Sequence, residues 1–229
     1  MKSRGRVKIF FDAVFFDMDG LMVDSEPQWL LSETELTAEH GYAWTSEDQI
    51  ACLGGPLTRV GEYMFEKCKR VNSPEFFTQE LIKTQAEKMR GDTPLMPGAL
   101  ELVSELQSMG VKTGLVSASP RIIVDAVLEN IGVELFPFTI SSDDVERTKP
   151  SPDGYLKAAQ LTSSDISDCL IFEDSLTGVQ AAQSSGAWLI AVPHLVQVKE
   201  SERVRVIRSL EAINYLKLVE LWNAFSATI

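Results

Sequence analysis

The feature that most constrains this chain is a repeated alternation of short apolar runs with helical patterns. Five runs, Ala13–Asp17, Lys112–Ser117, Phe138–Ser141, Cys169–Glu173 and Trp188–Pro193, are short, apolar and rich in Val, Ile or Phe. Strands covered on both faces have this composition. Between them lie segments of helical period. Ala99–Met109 carries Leu102, Val103, Leu106 and Met109 on one face and stops at Gly110. Arg121–Asn130 follows Pro120 and ends before Gly132, Asp153–Gln160 follows Pro152, and Leu176–Ser185 runs from Ser175 to Gly186. Strands alternating with helices predict right-handed βαβ units around a parallel sheet, an α/β fold. With 45% hydrophobic residues in 229, the chain has enough apolar surface for a sizeable core without disulfide staples.

The rhythm breaks once. From about Glu26 to Thr93 the sequence offers helical runs only: Trp29–His40, Leu57–Cys68 and Phe76–Met89. Gly54, Gly55 and Pro56 separate the first two, and Asn72, Ser73 and Pro74 the last two. This pattern predicts a helical domain over 26–93 inserted after the first strand, with residues 1–25 and 94–229 forming the sheet-bearing core. The tail carries a β-branched run, Val204–Ile207, and an amphipathic helix, Ala212–Phe225.

Polar residues gather where the predicted strands end, which is where ligands bind in open parallel sheets. The first strand runs into Asp17-Met18-Asp19-Gly20, the second into Ser117-Ala118-Ser119, and the fourth into Glu173-Asp174-Ser175; Thr148-Lys149-Pro150 follows the third. Carboxylates crowded on one rim repel one another, and a hard divalent cation with oxygen ligands relieves that strain. Mg²⁺ fits, held by carboxylates and by a substrate phosphate. The Lys149 ammonium, the Ser117 hydroxyl and backbone N–H groups around Ala118 suit phosphate oxygens. A carboxylate facing phosphorus can attack it, which makes Asp17 the expected nucleophile. Asp19, two residues on, is placed to protonate the leaving oxygen and then activate water.

Asp17-Met18-Asp19-Gly20, Ser117, Lys149-Pro150 and Glu173-Asp174 resemble the four ordered motifs of the haloacid dehalogenase-like superfamily. The resemblance spans nearly the whole chain. Phe16–Leu21 with Asp24-Ser25-Glu26, Lys149–Asp153, and Phe172–Ser175 followed by Gly178 are similar to the subfamily of sugar-phosphate phosphatases and β-phosphoglucomutases. It implies a Rossmann-like, doubly wound parallel core with a helical cap closing over the site. It also implies Mg²⁺ bound by the Asp17 carboxylate, the Asp19 carbonyl and Asp174, with Glu173 helping directly or through water. The expected activity is hydrolysis of a small phosphomonoester, a sugar phosphate or similar metabolite, through an aspartyl-phosphate. Two alternatives stand: a phosphosugar mutase, and a phosphosugar-binding protein without catalysis. Mutases of the family carry His where alignment puts Trp29, which weighs against the first. Intact motifs weigh against the second.

The helical insertion is less legible. Gly54-Gly55-Pro56 reads equally as a helix–helix turn and as a loop facing substrate. Trp29 reads as core of the insertion or as a wall of the substrate pocket. Arg59 and Lys83 are the cations able to reach the site, with solvated faces the favoured reading, and His40 and His194 read as surface residues. Glu173 has a blander reading as a cap of the following helix, although Ser175 is the better cap.

Partners and compartment follow from charge and cysteine usage. A net charge of −12 argues against nucleic acid or an anionic membrane as partner and leaves a small phosphorylated metabolite open, since one local cation suffices for it. Cys52, Cys68 and Cys169 are scattered and odd in number, which fits reduced thiols in a cytoplasmic protein. The basic, then apolar N-terminus resembles a leader only superficially, because Asp12, Asp17 and Asp19 interrupt it. A monomer is the default expectation.

Overall fold

The computed structural model describes residues 10–52, 56–91, 93–194 and 196–226. Six parallel strands form one sheet: β1 (Ala13–Phe16), β2 (Lys112–Val116), β3 (Thr139–Ile140), β4 (Leu170–Glu173), β5 (Trp188–Ala191) and β6 (Val204–Val206). Their order is β3-β2-β1-β4-β5-β6, the doubly wound arrangement. The chain winds outward from β1 through β2 to β3, then returns to the other side of β1 with β4. Register sets Phe16 beside Leu115 on one side and beside Phe172 on the other. Side chains alternate between the faces. Val14, Phe16 and Phe172 join one buried cluster, while Ala13, Phe15 and Ile171 join the opposite one.

The predicted helices are present as α5 (Ala99–Ser108), α6 (Arg121–Ile131), α7 (Asp153–Leu161) and α8 (Leu176–Ser185). The Ser175 hydroxyl caps α8 by accepting from the Gly178 N–H at 3.1 Å, and Gly186 ends that helix at φ +85°, a conformation that favours glycine. The Val204–Ile207 run, left unassigned by its length, pairs as edge strand β6. The tail helix α9 (Tyr215–Ser226) starts three residues later than expected. Asn214 accepts from the Lys217 N–H and caps it there, after a separate 3-10 turn at Leu210–Ala212.

Among the described residues between β1 and α5 lie four helices rather than three: α1 (Glu26–Glu39), α2 (Ser46–Cys52), α3 (Leu57–Lys67) and α4 (Pro74–Gly91). The seven residues of α2 are too few for a clear apolar period. Helices α1 and α4 begin earlier than expected, because proline is tolerated in a helix's first turn and both Pro27 and Pro74 lie there. Leu36, Val60, Met64, Phe77 and Leu81 make a separate apolar cluster for this insertion. Helix α4 also serves the sheet: its Ala86 and Met89 are buried in the cluster around Phe16. No described helix is long and apolar enough to cross a membrane.

Candidate active site

The carboxyl ends of β1 and β4 are neighbours, so the residues that follow those strands are forced together. The Asp17 N–H extends the ladder to the Phe172 carbonyl at 3.1 Å. Carboxylate oxygens of Asp17, Glu173 and Asp174 lie within 4.8 Å of one another. Asp17 is 6% exposed and Glu173 fully buried. Burial alone raises the Asp17 carboxyl above its ordinary range, Lys149 pulls it back, and Glu173 pushes it further up. Burial likewise lifts Asp174, with Asp17 and Glu173 adding to it.

Lys149 meets this charge from the loop after β3. Its ammonium donates to Asp17 Oδ1, to Glu173 Oε1 at 2.6 Å and to the Val116 carbonyl at 2.8 Å, using all three protons. Burial works against its charge, yet Asp17 and Glu173 raise its pKa above the ordinary lysine value. Tyr155, buried in α7, donates its hydroxyl to the same Glu173 oxygen at 2.6 Å. Two glycines allow this packing. A Cβ on Gly178 would meet the Glu173 carboxylate at 1.9 Å. One on Gly20, which sits at φ +78°, would meet Asp174 Oδ2 at 2.3 Å.

Asp19 stands apart from that cluster. Its Oδ1 accepts from the Ser25 hydroxyl at 2.8 Å and the Trp29 indole at 3.3 Å. Its Oδ2 accepts from the Ser119 hydroxyl at 2.8 Å and the Ser117 hydroxyl at 3.4 Å. Ser117 thus touches Asp19, and its oxygen also receives the Ser119 N–H at 2.9 Å. Four donors from two segments, 25–29 and 117–119, fix the Asp19 side chain.

The donor set suits a hard cation. Three carboxylates are close, and Asp174 Oδ1 is buried with no hydrogen-bond partner. An oxygen left in that state is unfavourable unless something positive meets it.

Above the cluster is a cavity of about 680 Å³, a volume in the range of small-molecule sites. Asp17, Asp19, Ala118, Lys149 and Asp174 form its floor. Trp29 lines it from the insertion while packing on apolar residues of both insertion and core, so both readings of Trp29 hold in part. Gly54 and Gly55 lie outside the described residues. Arg59 is exposed and turned to the carbonyls of Ala51 and Cys52, and Lys83 is exposed beside Glu80. His40 Nδ1 donates to the Leu36 carbonyl at 2.9 Å within the insertion, whereas His194 is exposed at the cavity wall. Sequence reasoning missed Ser25, Ser119, Tyr155 and Glu33. The first two flank recognised motifs; Tyr155 and Glu33 carry no motif signal.

Comparison with known proteins agrees with this architecture. The model of the family described as haloacid dehalogenase-like hydrolase matches residues 14–192. Hexitol phosphatase A of Escherichia coli (strain K12) is 30% identical over 205 residues, covering 88% of this chain and 93% of that protein. The chloroplastic protein SUPPRESSOR OF QUENCHING 1 of Arabidopsis thaliana is 34% identical over 185 residues, which is 79% of this chain and 18% of that longer protein. The crystal structure of β-phosphoglucomutase from Clostridium difficile superposes with a TM-score of 0.80 at 20% identity, covering 95% of this chain and 100% of that one. At that identity the likeness is one of fold.

Proposed function

We propose, because this chain belongs to the haloacid dehalogenase-like hydrolase family, that it is a Mg²⁺-dependent phosphatase acting on a small phosphomonoester, a sugar phosphate or similar metabolite. The observation that carries the reading is the buried Lys149 ammonium held between Asp17 and Glu173, beside the unpartnered Asp174 oxygen. Carboxylates and a cation packed this tightly under a cavity suit the transfer of a doubly negative group.

Asp17 and Asp174, with the Asp19 backbone carbonyl, would hold the ion, and Glu173 lies beside them. Bound there, Mg²⁺ would offset the crowded carboxylates and polarise a phosphoryl oxygen. Asp17 attacks phosphorus and forms the aspartyl-phosphate as the ester P–O bond breaks. Asp19 gives its proton to the departing alkoxide. Asp19, now a carboxylate, then takes a proton from water; the water oxygen attacks phosphorus and the bond to Asp17 breaks, releasing phosphate. Lys149, Ser117 and the N–H groups around Ala118 hold the phosphoryl oxygens. Lys149 has no spare proton, so it exchanges its bond to Asp17 for one to phosphate, which frees the Asp17 oxygen as a nucleophile. Delivery to a sugar hydroxyl instead of water would make a mutase, and Trp29 in place of the family's His argues against that.

The test is turnover of p-nitrophenyl phosphate. Purified protein should release nitrophenol with Mg²⁺, stop on addition of EDTA, and resume when Mg²⁺ is restored. Undiminished release in EDTA would overturn the metal assignment, and no release with Mg²⁺ would overturn the phosphatase reading.

A further inference from the structure

The ceiling of the cavity is built from one face of α1. Glu26, Trp29 and Glu33 stand at spacings of three and four, so they project together, and all three line the cavity. Glu33 is 5% exposed, and its Oε2 has no hydrogen-bond partner. Gln49 of α2 lines the same ceiling, with apolar Leu57 and Val60 from α3. Trp44 hydrogen-bonds the Glu33 carboxyl within the insertion, yet Oε2 meets no partner among the described residues. Leaving such a group unpaired is unfavourable, which is offset when a bound molecule pairs it.

Charge narrows what that molecule is. Among the described residues lining the cavity Lys149 is the one lysine or arginine, against the carboxyl groups of Asp17, Asp19, Asp24, Glu26, Glu33 and Asp174. Leu53, Gly54 and Gly55, outside the described residues, carry no charge. Lys149 and the metal site serve the transferring phosphoryl group, so no described lysine or arginine of the lining is left for a second anion, and His194 stands exposed at the wall. Hydroxyl groups suit Glu33, Glu26 and Gln49, and C–H faces suit Trp29 and Leu57.

Resting on the phosphatase reading above, we propose that Glu33 is a specificity-determining residue: its free oxygen accepts a hydrogen bond from a hydroxyl of an uncharged polyhydroxylated leaving group. The site thereby selects monophosphates of neutral polyols or sugars over bisphosphates and phosphorylated carboxylic acids. Burial pushes the Glu33 carboxyl up to about 8, with Glu26 adding to the push, so at neutral pH it also has a proton to donate to a second oxygen.

The experiment compares kcat/KM for a hexitol 6-phosphate, the matching hexonic acid 6-phosphate, a hexose 1,6-bisphosphate and p-nitrophenyl phosphate. The hexitol ester should exceed the acid and the bisphosphate by at least about tenfold, the worth of one well-made or repelled polar contact. In Glu33→Leu the ratio of hexitol ester to p-nitrophenyl phosphate should fall by about tenfold, mainly through KM. Glu33→Gln, which keeps an acceptor oxygen, should hold that ratio within about threefold of the parent. Thermal stability separates this role from a packing role: Glu33→Leu removes an unpaired polar group and should melt no lower than the parent. Equal rates on the neutral and acidic esters, an unchanged ratio in Glu33→Leu, or Glu33→Gln falling as far as Glu33→Leu would each overturn the assignment. All three leave the phosphatase reading standing, provided p-nitrophenyl phosphate is hydrolysed; no hydrolysis of it defeats that reading instead.

Discussion

On the floor of the cavity Lys149 gives every ammonium proton to a partner, and Asp19 is met by four donors. On the ceiling Glu33 is buried and keeps an idle oxygen. The floor stands on strand ends whose register is pinned by a doubly covered sheet. The ceiling stands on side chains of three helices, α1, α2 and α3. Preorganised charge belongs where the chemistry is the same for every substrate, and unfilled hydrogen-bonding capacity belongs where a ligand must be chosen. The exception on the floor is Asp174 Oδ1, the unpartnered oxygen that the proposed cation would meet.

If that contrast is right, substitutions should sort by storey. The largest effect belongs to Asp17→Asn, which keeps the shape and removes the nucleophile. Turnover should fall by ~10⁴-fold or more while circular dichroism stays that of the parent; near-parental activity would break the floor assignment. Asp19→Asn comes next, with a loss of ~10²–10⁴-fold on alkyl phosphates, read in steady-state rates. Because a nitrophenolate leaves without help, that loss should be smaller on p-nitrophenyl phosphate. A uniform loss on both would assign Asp19 to positioning rather than to proton transfer.

The smallest effect belongs to the ceiling and is one of stability. Glu33 in the folded chain holds its proton up to about pH 8, against an ordinary value of 4.5. Between those values the folded chain binds more protons than the unfolded one, so this group's contribution to stability declines as pH rises through the window. Glu33→Leu removes the decline. Its melting temperature relative to the parent should therefore climb by several degrees from pH 5 to pH 8, a chain of this size shifting about 2–4 °C per kcal/mol. A constant difference across that range would mean that Glu33 is ionised in the fold.

Floor and ceiling also differed in how they could be read. Asp17, Asp19, Ser117, Glu173 and Asp174 follow apolar runs, Lys149 lies in the loop after the third run, and a parallel sheet brings such strand ends to one rim. The parallel sheet and its packing helices followed from the same alternation, and the doubly wound arrangement from the family resemblance. Short elements did not: α2 spans two turns and β6 three residues, so neither sustains a period. Helix starts slipped at Pro27 and Pro74, where a proline read as a break is a legitimate first-turn residue. Glu33 was invisible for a deeper reason. Its periodicity on α1 marks an inward face, but only coordinates tell that one carboxyl oxygen there has no partner.

Helix α4 sets the terms on which the insertion could be exchanged with that of another protein. Phe77 and Leu81 belong to the insertion's own apolar cluster, whereas Ala86 and Met89, one to two turns later, are buried against the sheet's. A graft cut at the loop after Gly91 would strip the recipient of two core side chains. The seam of a workable chimera therefore lies inside the helix, between Leu81 and Ala86, where donor and recipient must agree in helical phase.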